Sequence, residues 1–248
     1  MRRRGFVQVC AAGIGCLGAG PGWLLAASEV TPREYDTVQL VDRRGEPLRP
    51  SALEAGRNYI FHYPYTATPC FLLDLGESVP GRNGLRTRDG GTYDWPGGVG
   101  PGSSIVAFSA ICAHRMAYPT QQVSYIGFRP ADGGGRQGRI TCCAENSVYN
   151  PYAGGAVESG PADQPLAAVL LEHDRDDGAL YARGTLGGEL FQRFFDAFEQ
   201  RLRLEHPNAE PEARVRGEAR VVPLRGFSRN VVRCGAATGG EPQDDAGT

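Results

Sequence analysis

The sequence lacks most of the features that announce a function directly. Its 26 basic residues are balanced by 28 acidic ones, so no charge excess points to nucleic acid as a partner. No Ser/His/Asp arrangement and no phosphate-binding loop appear. The nearest glycine-rich stretch, 98–102, runs into a strand pattern rather than a helix. There is no internal repeat. Beyond the N-terminal segment, no stretch is long and apolar enough to cross a bilayer. Histidine is scarce, with four in the chain, so its positions carry weight.

What is abundant points to a β protein. Glycine (35) and proline (18) punctuate short apolar or alternating runs at 35–41, 58–64, 70–76, 103–112, 138–143, 154–160, 166–174 and 178–184. This pattern predicts an all-β domain over 29–185, built as an antiparallel sandwich or small barrel. The last two runs read as a hairpin. Residues 76–102 read as one long loop rich in Gly, Arg and Pro. One segment departs from the pattern. Leu190, Phe191, Phe194, Phe195, Phe198 and Leu202 recur at helical spacing, which predicts an amphipathic helix over 186–206 with its aromatic stripe against the parent domain. Residues 207–220 read as a linker and 221–234 as a last strand or a docking segment. By composition, 235–248 read as a disordered tail.

Residues 1–28 read as a targeting segment, with a basic start, a weakly apolar Gly/Ala-rich middle and a small-residue exit. Arg3, Arg4, Gly5, Phe6 and Val7 match the twin-arginine export pattern, which predicts a periplasmic protein. Left uncut, 6–27 would be long enough to anchor in a membrane. Cys10 and Cys16 fall in this segment, leaving Cys70, Cys112, Cys142, Cys143 and Cys234. An odd number in an oxidising compartment leaves one thiol over in a pure disulfide framework. Metal ligation by some of them accounts for this more easily. Cys70 reads as a buried small hydrophobe, with a disulfide to Cys234 as the alternative. His62 and His173 lie in strand patterns and His206 at a helix end, where structural roles suffice.

In "ICAHRMAYP", Cys112 and His114 stand one residue apart, and Cys142 and Cys143 open "CCAENSVYNPY". A thiolate and an imidazole so spaced do not suit a structural zinc knuckle, which uses C-x2-4-C. C-x-H followed by a second cysteine loop is the spacing of a Rieske-type [2Fe–2S] centre. There two thiolates hold one iron and two neutral imidazoles the other, which raises the potential. Over 58–183 the sequence resembles the Rieske proteins, and among them the small subunit of arsenite oxidase. The likeness lies in "YPYTATPCFLLDLG", "GGVGPGSSIVAFSAICAH" and "GPADQPLAAVLLEHD". It implies a Rieske-like fold, Cys112 and His114 as ligands, and Gly160, Pro161 and Pro165 as the segment that covers the cluster.

The second loop departs from the family's C-P-C-H-G-S-x-Y/F. In that register Cys142 is the ligand, Ala144 stands at the second cysteine and Glu145 at the histidine. Ser147 and Tyr149 fall where family hydroxyls bond to the cluster. Ala117 stands where the first loop's cysteine would be, so both halves of the family's loop disulfide are missing together. A shifted register makes Cys143 the ligand and Asn146 the fourth position. Three outcomes follow: Glu145 ligates iron, Cys142 and Cys143 both bind, or the cluster is lost.

The implied function is an exported Rieske-type electron-transfer protein, not a catalyst alone. It would pass electrons between a larger oxidoreductase subunit, such as a molybdenum-type large subunit, and an acceptor such as a cytochrome or cupredoxin. One alternative is a cluster-free interaction domain with the same fold. Another is a membrane-anchored subunit of a quinol-oxidising complex, which with His114 alone would be short of a histidine ligand.

Overall fold

The computed structural model describes residues 28–131 and 137–234. Residues 1–27, which hold all but the last residue of the segment 1–28 read as a targeting signal and include Cys10 and Cys16, lie outside the described residues, as do 235–248, read as a tail. Strand accounts for 38% and helix for 12%, so the expectation of a mostly β protein with a C-terminal helix holds.

Eight strands form the main sheet, in the order Gly217–Arg220, Arg33–Val41, Leu180–Leu186, Ala168–His173, Ile105–Ser109, Pro69–Asp74, Tyr59–His62 and Val222–Pro223. Neighbours run antiparallel, except that Gly217–Arg220 joins Arg33–Val41 in parallel. Both faces of the central strands are covered. Ile60, Phe71, Leu73, Val106 and Phe108 pack to one side, while Phe61, Cys70, Leu72, Ile105 and Ala107 pack to the other. Burial on both faces explains why these strands read as continuous apolar runs instead of alternating ones. The expected hairpin forms, with Ala168–His173 antiparallel to Leu180–Leu186.

A second sheet holds Ala156–Ser159, Ser147–Asn150, Arg139–Cys142 and Ile126–Arg129, in that order. It shares one core with the main sheet through Ile126, Phe128, Ile140 and Tyr149. The region read as one long loop carries a hairpin of its own, Arg82–Arg86 with Thr92–Trp95. Its apolar side chains Leu85, Tyr93 and Trp95 are buried, and Trp95 packs on Phe108 at 5.7 Å.

The helix spans Phe191–Glu205 and departs from helical geometry at Phe198 (φ −123°, ψ 15°). Phe191, Phe194, Phe195 and Leu202 bury against Ala67, Ile111 and Tyr118. The ring of Tyr118 meets Phe194 edge-on at 4.8 Å. The aromatic stripe therefore braces the chain on both sides of Cys112 and His114. The stretch read as a linker ends in the edge strand Gly217–Arg220, where Ala219 is buried. The segment 221–234 docks on its own chain. Val222–Pro223 pairs with Tyr59 and Ile60, and Asn230–Val231 runs parallel to Val123–Ser124.

Candidate metal centre

The first loop follows the buried strand Ile105–Ser109. It closes on itself through Cys112 N–H donating to the Ala117 carbonyl and Met116 N–H donating to that of Cys112, both at 2.9 Å. This tight return places Met116 in the left-handed region (φ 57°). Cys112 and Ala113 are buried, His114 half-buried and Arg115 exposed.

The second loop is the four-residue turn of a hairpin in which Cys142 pairs with Ser147 and Ile140 with Tyr149. Strand alternation puts these four side chains on one face, and all four are fully buried. Asn146 takes φ 58°, a conformation that Asn tolerates better than most residues. The resemblance sets Asn146 against a glycine, which suits a left-handed position equally.

The two loops meet at sulfur. Cys112 and Cys142 are free thiols in hydrogen-bond contact. The Tyr149 hydroxyl lies 3.2 Å from Cys112 Sγ and accepts the Ala113 N–H at 3.0 Å. Each sulfur is also cradled by its own loop. The N–H groups of His114 and Arg115 point at Cys112, and those of Ala144 and Glu145 at Cys142. Donors converging on sulfur favour a thiolate. The Cys142 bond, helped by Tyr149 and the backbone donors, holds the Cys112 thiol low against burial. Cys142, bonded to Cys112 and buried, is held high.

Around this pair, two polar atoms are buried without a hydrogen-bond partner, Nδ1 of His114 and Oγ of Ser147. Buried polar atoms normally have partners, so each exception calls for an explanation, and a bound group beside these two would supply one. Glu145 is half-buried, with Arg115 Nε 3.4 Å from its carboxylate across the loop tips. Gly160 lies against the second loop in the left-handed region (φ +89°), where a Cβ would sit 2.6 Å from Ser147 Cα and closer still to the Asn146 carbonyl oxygen. Pro161, next to it, is exposed, whereas Pro165 is buried.

Cys143 belongs elsewhere. It forms a disulfide with Cys234, Cα to Cα 5.1 Å, so its sulfur is committed and the shifted register fails. Double ligation by Cys142 and Cys143 fails with it. Adjacent residues at a strand end face opposite ways: Cys142 points into the core and Cys143 out toward the C-terminal segment. The alternative disulfide of Cys70 with Cys234 is overturned too. Cys70 is a buried free thiol whose S–H donates to the Tyr63 carbonyl at 3.0 Å. The odd cysteine count had signalled a free thiol, but sequence spacing held no sign of the Cys143–Cys234 partnership.

Among the described residues, no three His, Cys, Asp or Glu side chains converge as they would on a single ion. A binuclear cluster needs no such convergence, since each iron takes two protein ligands. Three positions fit that group: two buried thiols in cradles of N–H donors, and an imidazole with an orphaned nitrogen. The fourth holds a carboxylate that an arginine already engages.

In its β architecture and in the Cys-x-His loop closing on a second buried cysteine beneath a tyrosine hydroxyl, the chain resembles the Rieske proteins. No protein-family model matches it. It is 28% identical over 187 residues to iodate reductase subunit IdrB of Denitromonas iodatirespirans, covering 75% of this chain and 82% of that protein. Among solved structures, the soluble domain of Rieske protein II (soxF) of Sulfolobus acidocaldarius is similar, with a TM-score of 0.45 and 28% identity. That match covers 61% of this chain and 78% of the other.

Proposed function

We propose that this chain is a Rieske-type electron-transfer subunit of a larger oxidoreductase, holding a [2Fe–2S] cluster between its two loops. The observation that carries this reading is the buried, free Cys112–Cys142 pair under the Tyr149 hydroxyl, each sulfur facing backbone N–H groups of its own loop. Cys112 and Cys142 would hold one iron, and His114 with Glu145 the other. Bound there, the cluster supplies one-electron transfer at a potential set by its ligands and hydrogen bonds.

The chain's own residues do the tuning. The Tyr149 O–H and the loop N–H groups favour extra negative charge on the sulfurs, and Ser147 Oγ is free to add another donor. A carboxylate in place of a second neutral imidazole acts in the opposite direction and lowers the potential. The related protein's designation as a subunit of an iodate reductase supports a large catalytic partner, with a soluble redox protein such as a cytochrome or cupredoxin as acceptor. Export along the twin-arginine route belongs to the same reading, and the Cys143–Cys234 disulfide supports an oxidising compartment.

Anaerobically purified protein should contain iron and acid-labile sulfide at roughly two each per chain, with a reduced-state EPR signal. Colourless, iron-free protein from a host that builds clusters would overturn the reading in favour of a cluster-free interaction domain.

A further inference from the structure

The loops that carry Cys112 and Cys142 have no covalent link to each other, since the disulfide of the described residues joins Cys143 to Cys234. Direct contacts across them include the Cys112–Cys142 sulfur contact, the Tyr149 hydroxyl and the Arg115–Glu145 pair. The chain leaving the first loop also meets the second where Cys143 N–H donates to the Tyr125 carbonyl and Ile126 pairs with Cys142. A further connection runs through the C-terminal segment 228–234. At one end, the buried Ser228 hydroxyl donates to the Thr120 carbonyl at 2.6 Å. The N–H groups of Arg229 and Asn230 then donate to the Gln121 and Gln122 carbonyls at 3.0 and 3.1 Å. These acceptors lie directly beyond the first loop. At the other end, Val232 N–H donates to the Ser124 carbonyl at 2.9 Å, and Arg129 reaches the Val232 carbonyl at 2.8 Å. Cys234 then closes covalently on Cys143, the first residue of the second loop's turn.

We infer that this strap is a covalent crosslink that adds to the sheet pairing in holding the two loops in register, with Cys143 and Cys234 as positioning residues rather than ligands. The turn 143–146 is half open to solvent, with Ala144 and Asn146 exposed. Hairpin tips of that kind sit at the low-stability end of a fold. A covalent tie at Cys143 removes much of that freedom one residue from the Cys142 sulfur. The strap's hydrogen bonds carry the same constraint to the chain that leaves the first loop. Describing the positioned residues as ligands rests on the cluster reading above; the mechanical coupling does not.

The test uses the full chain with Cys143→Ser and Cys234→Ser together, and hydrogen exchange read peptide by peptide. Exchange should accelerate by about tenfold or more in both 119–125 and 140–147, while the hairpin 168–186 stays unchanged. In iron-loaded protein, the reduced-state EPR signal of the double variant should broaden or shift. Acceleration confined to 228–234, or an unaltered EPR envelope, overturns the inference. Should the double variant fail to fold, Ser228→Ala with the disulfide intact decides it: protection must fall in 119–125, and unchanged protection there refutes the coupling. Iron-free wild-type protein would count against the cluster while leaving the exchange result standing.

Discussion

The hydroxyl of Tyr149 bridges the two loops, accepting the Ala113 N–H at 3.0 Å while lying 3.2 Å from the sulfur of Cys112. The hydroxyl serves both bonds at once, its oxygen accepting the backbone N–H while its own hydrogen is left for the sulfur. Tyr149→Phe removes both at once. Leaving a buried N–H without its acceptor costs about 1–3 kcal/mol, readable as a lower denaturation midpoint. In iron-loaded protein the loss of a donor to sulfur lowers the potential, by about 60 mV for each 1.4 kcal/mol of differential stabilisation in a one-electron couple. A variant with wild-type stability and potential would show that the hydroxyl does neither.

Glu145 has two possible attachments, iron or Arg115, and two substitutions separate them. The ion pair is largely exposed, so losing it changes stability by less than about 1 kcal/mol. Glu145→Gln should therefore unfold near the wild-type midpoint. Glu145→His should raise the potential and move the EPR g-values if the residue ligates iron. Identical spectra in both variants would assign Glu145 to the ion pair alone.

Gly160 presses on the second loop. Alanine there combines a left-handed backbone with a Cβ that collides with Asn146 and Ser147 backbone atoms. Gly84 is the control, at φ +69° with nothing within 4 Å of its added Cβ. We expect Gly84→Ala to cost about 1 kcal/mol from strain alone, and Gly160→Ala at least about twice that. Equal losses in chemical denaturation would mean that the segment does not bear on the loop.

His62 makes stability depend on pH. Burial, reinforced by the facing imidazole of His206 at 6.1 Å, pulls it from 6.5 down to about 4. Its other ring neighbour is Phe227. Burial lowers His206 as well, partly offset by adjacent Glu205, which favours the charged form of that imidazole. Between these values the unfolded chain binds the proton that the folded chain refuses. The stabilisation is thus fully present above pH 6.5 and is lost as pH falls through 4, to a limit of roughly 3 kcal/mol. Urea midpoints at pH 7 and pH 5 should diverge in the wild type and converge in His62→Gln. An identical pH slope in both proteins would place the titration elsewhere.

Several features were legible before any coordinates. Short apolar or alternating runs between Gly and Pro announced the strands, and those around Phe71 and Phe108 are buried. The Phe194 and Phe195 stripe announced its helix because helical periodicity is a local property of the chain. The Cys-x-His spacing pointed to a metal loop for the same reason. In 76–102 the glycines and prolines masked a hairpin whose strands are held by Trp95 and Leu85 packing at a distance. Residues 207–220 looked like a linker because their polar side chains bury little of themselves, and the strand Gly217–Arg220 finds its partner at Val38–Val41, far away in sequence.

Sequence by itself placed Cys142 and Cys143 at the end of a strand, whose two-residue period turns adjacent side chains opposite ways. Which cysteine turns inward depends on which face the second sheet lays on the core, and only the tertiary structure decided that. Ile140, Tyr149 and Cys142 went in together, which left Cys143 outside to meet Cys234 across 91 residues of chain. No local pattern encodes such a meeting, because it is made by the packing of elements that are distant in sequence.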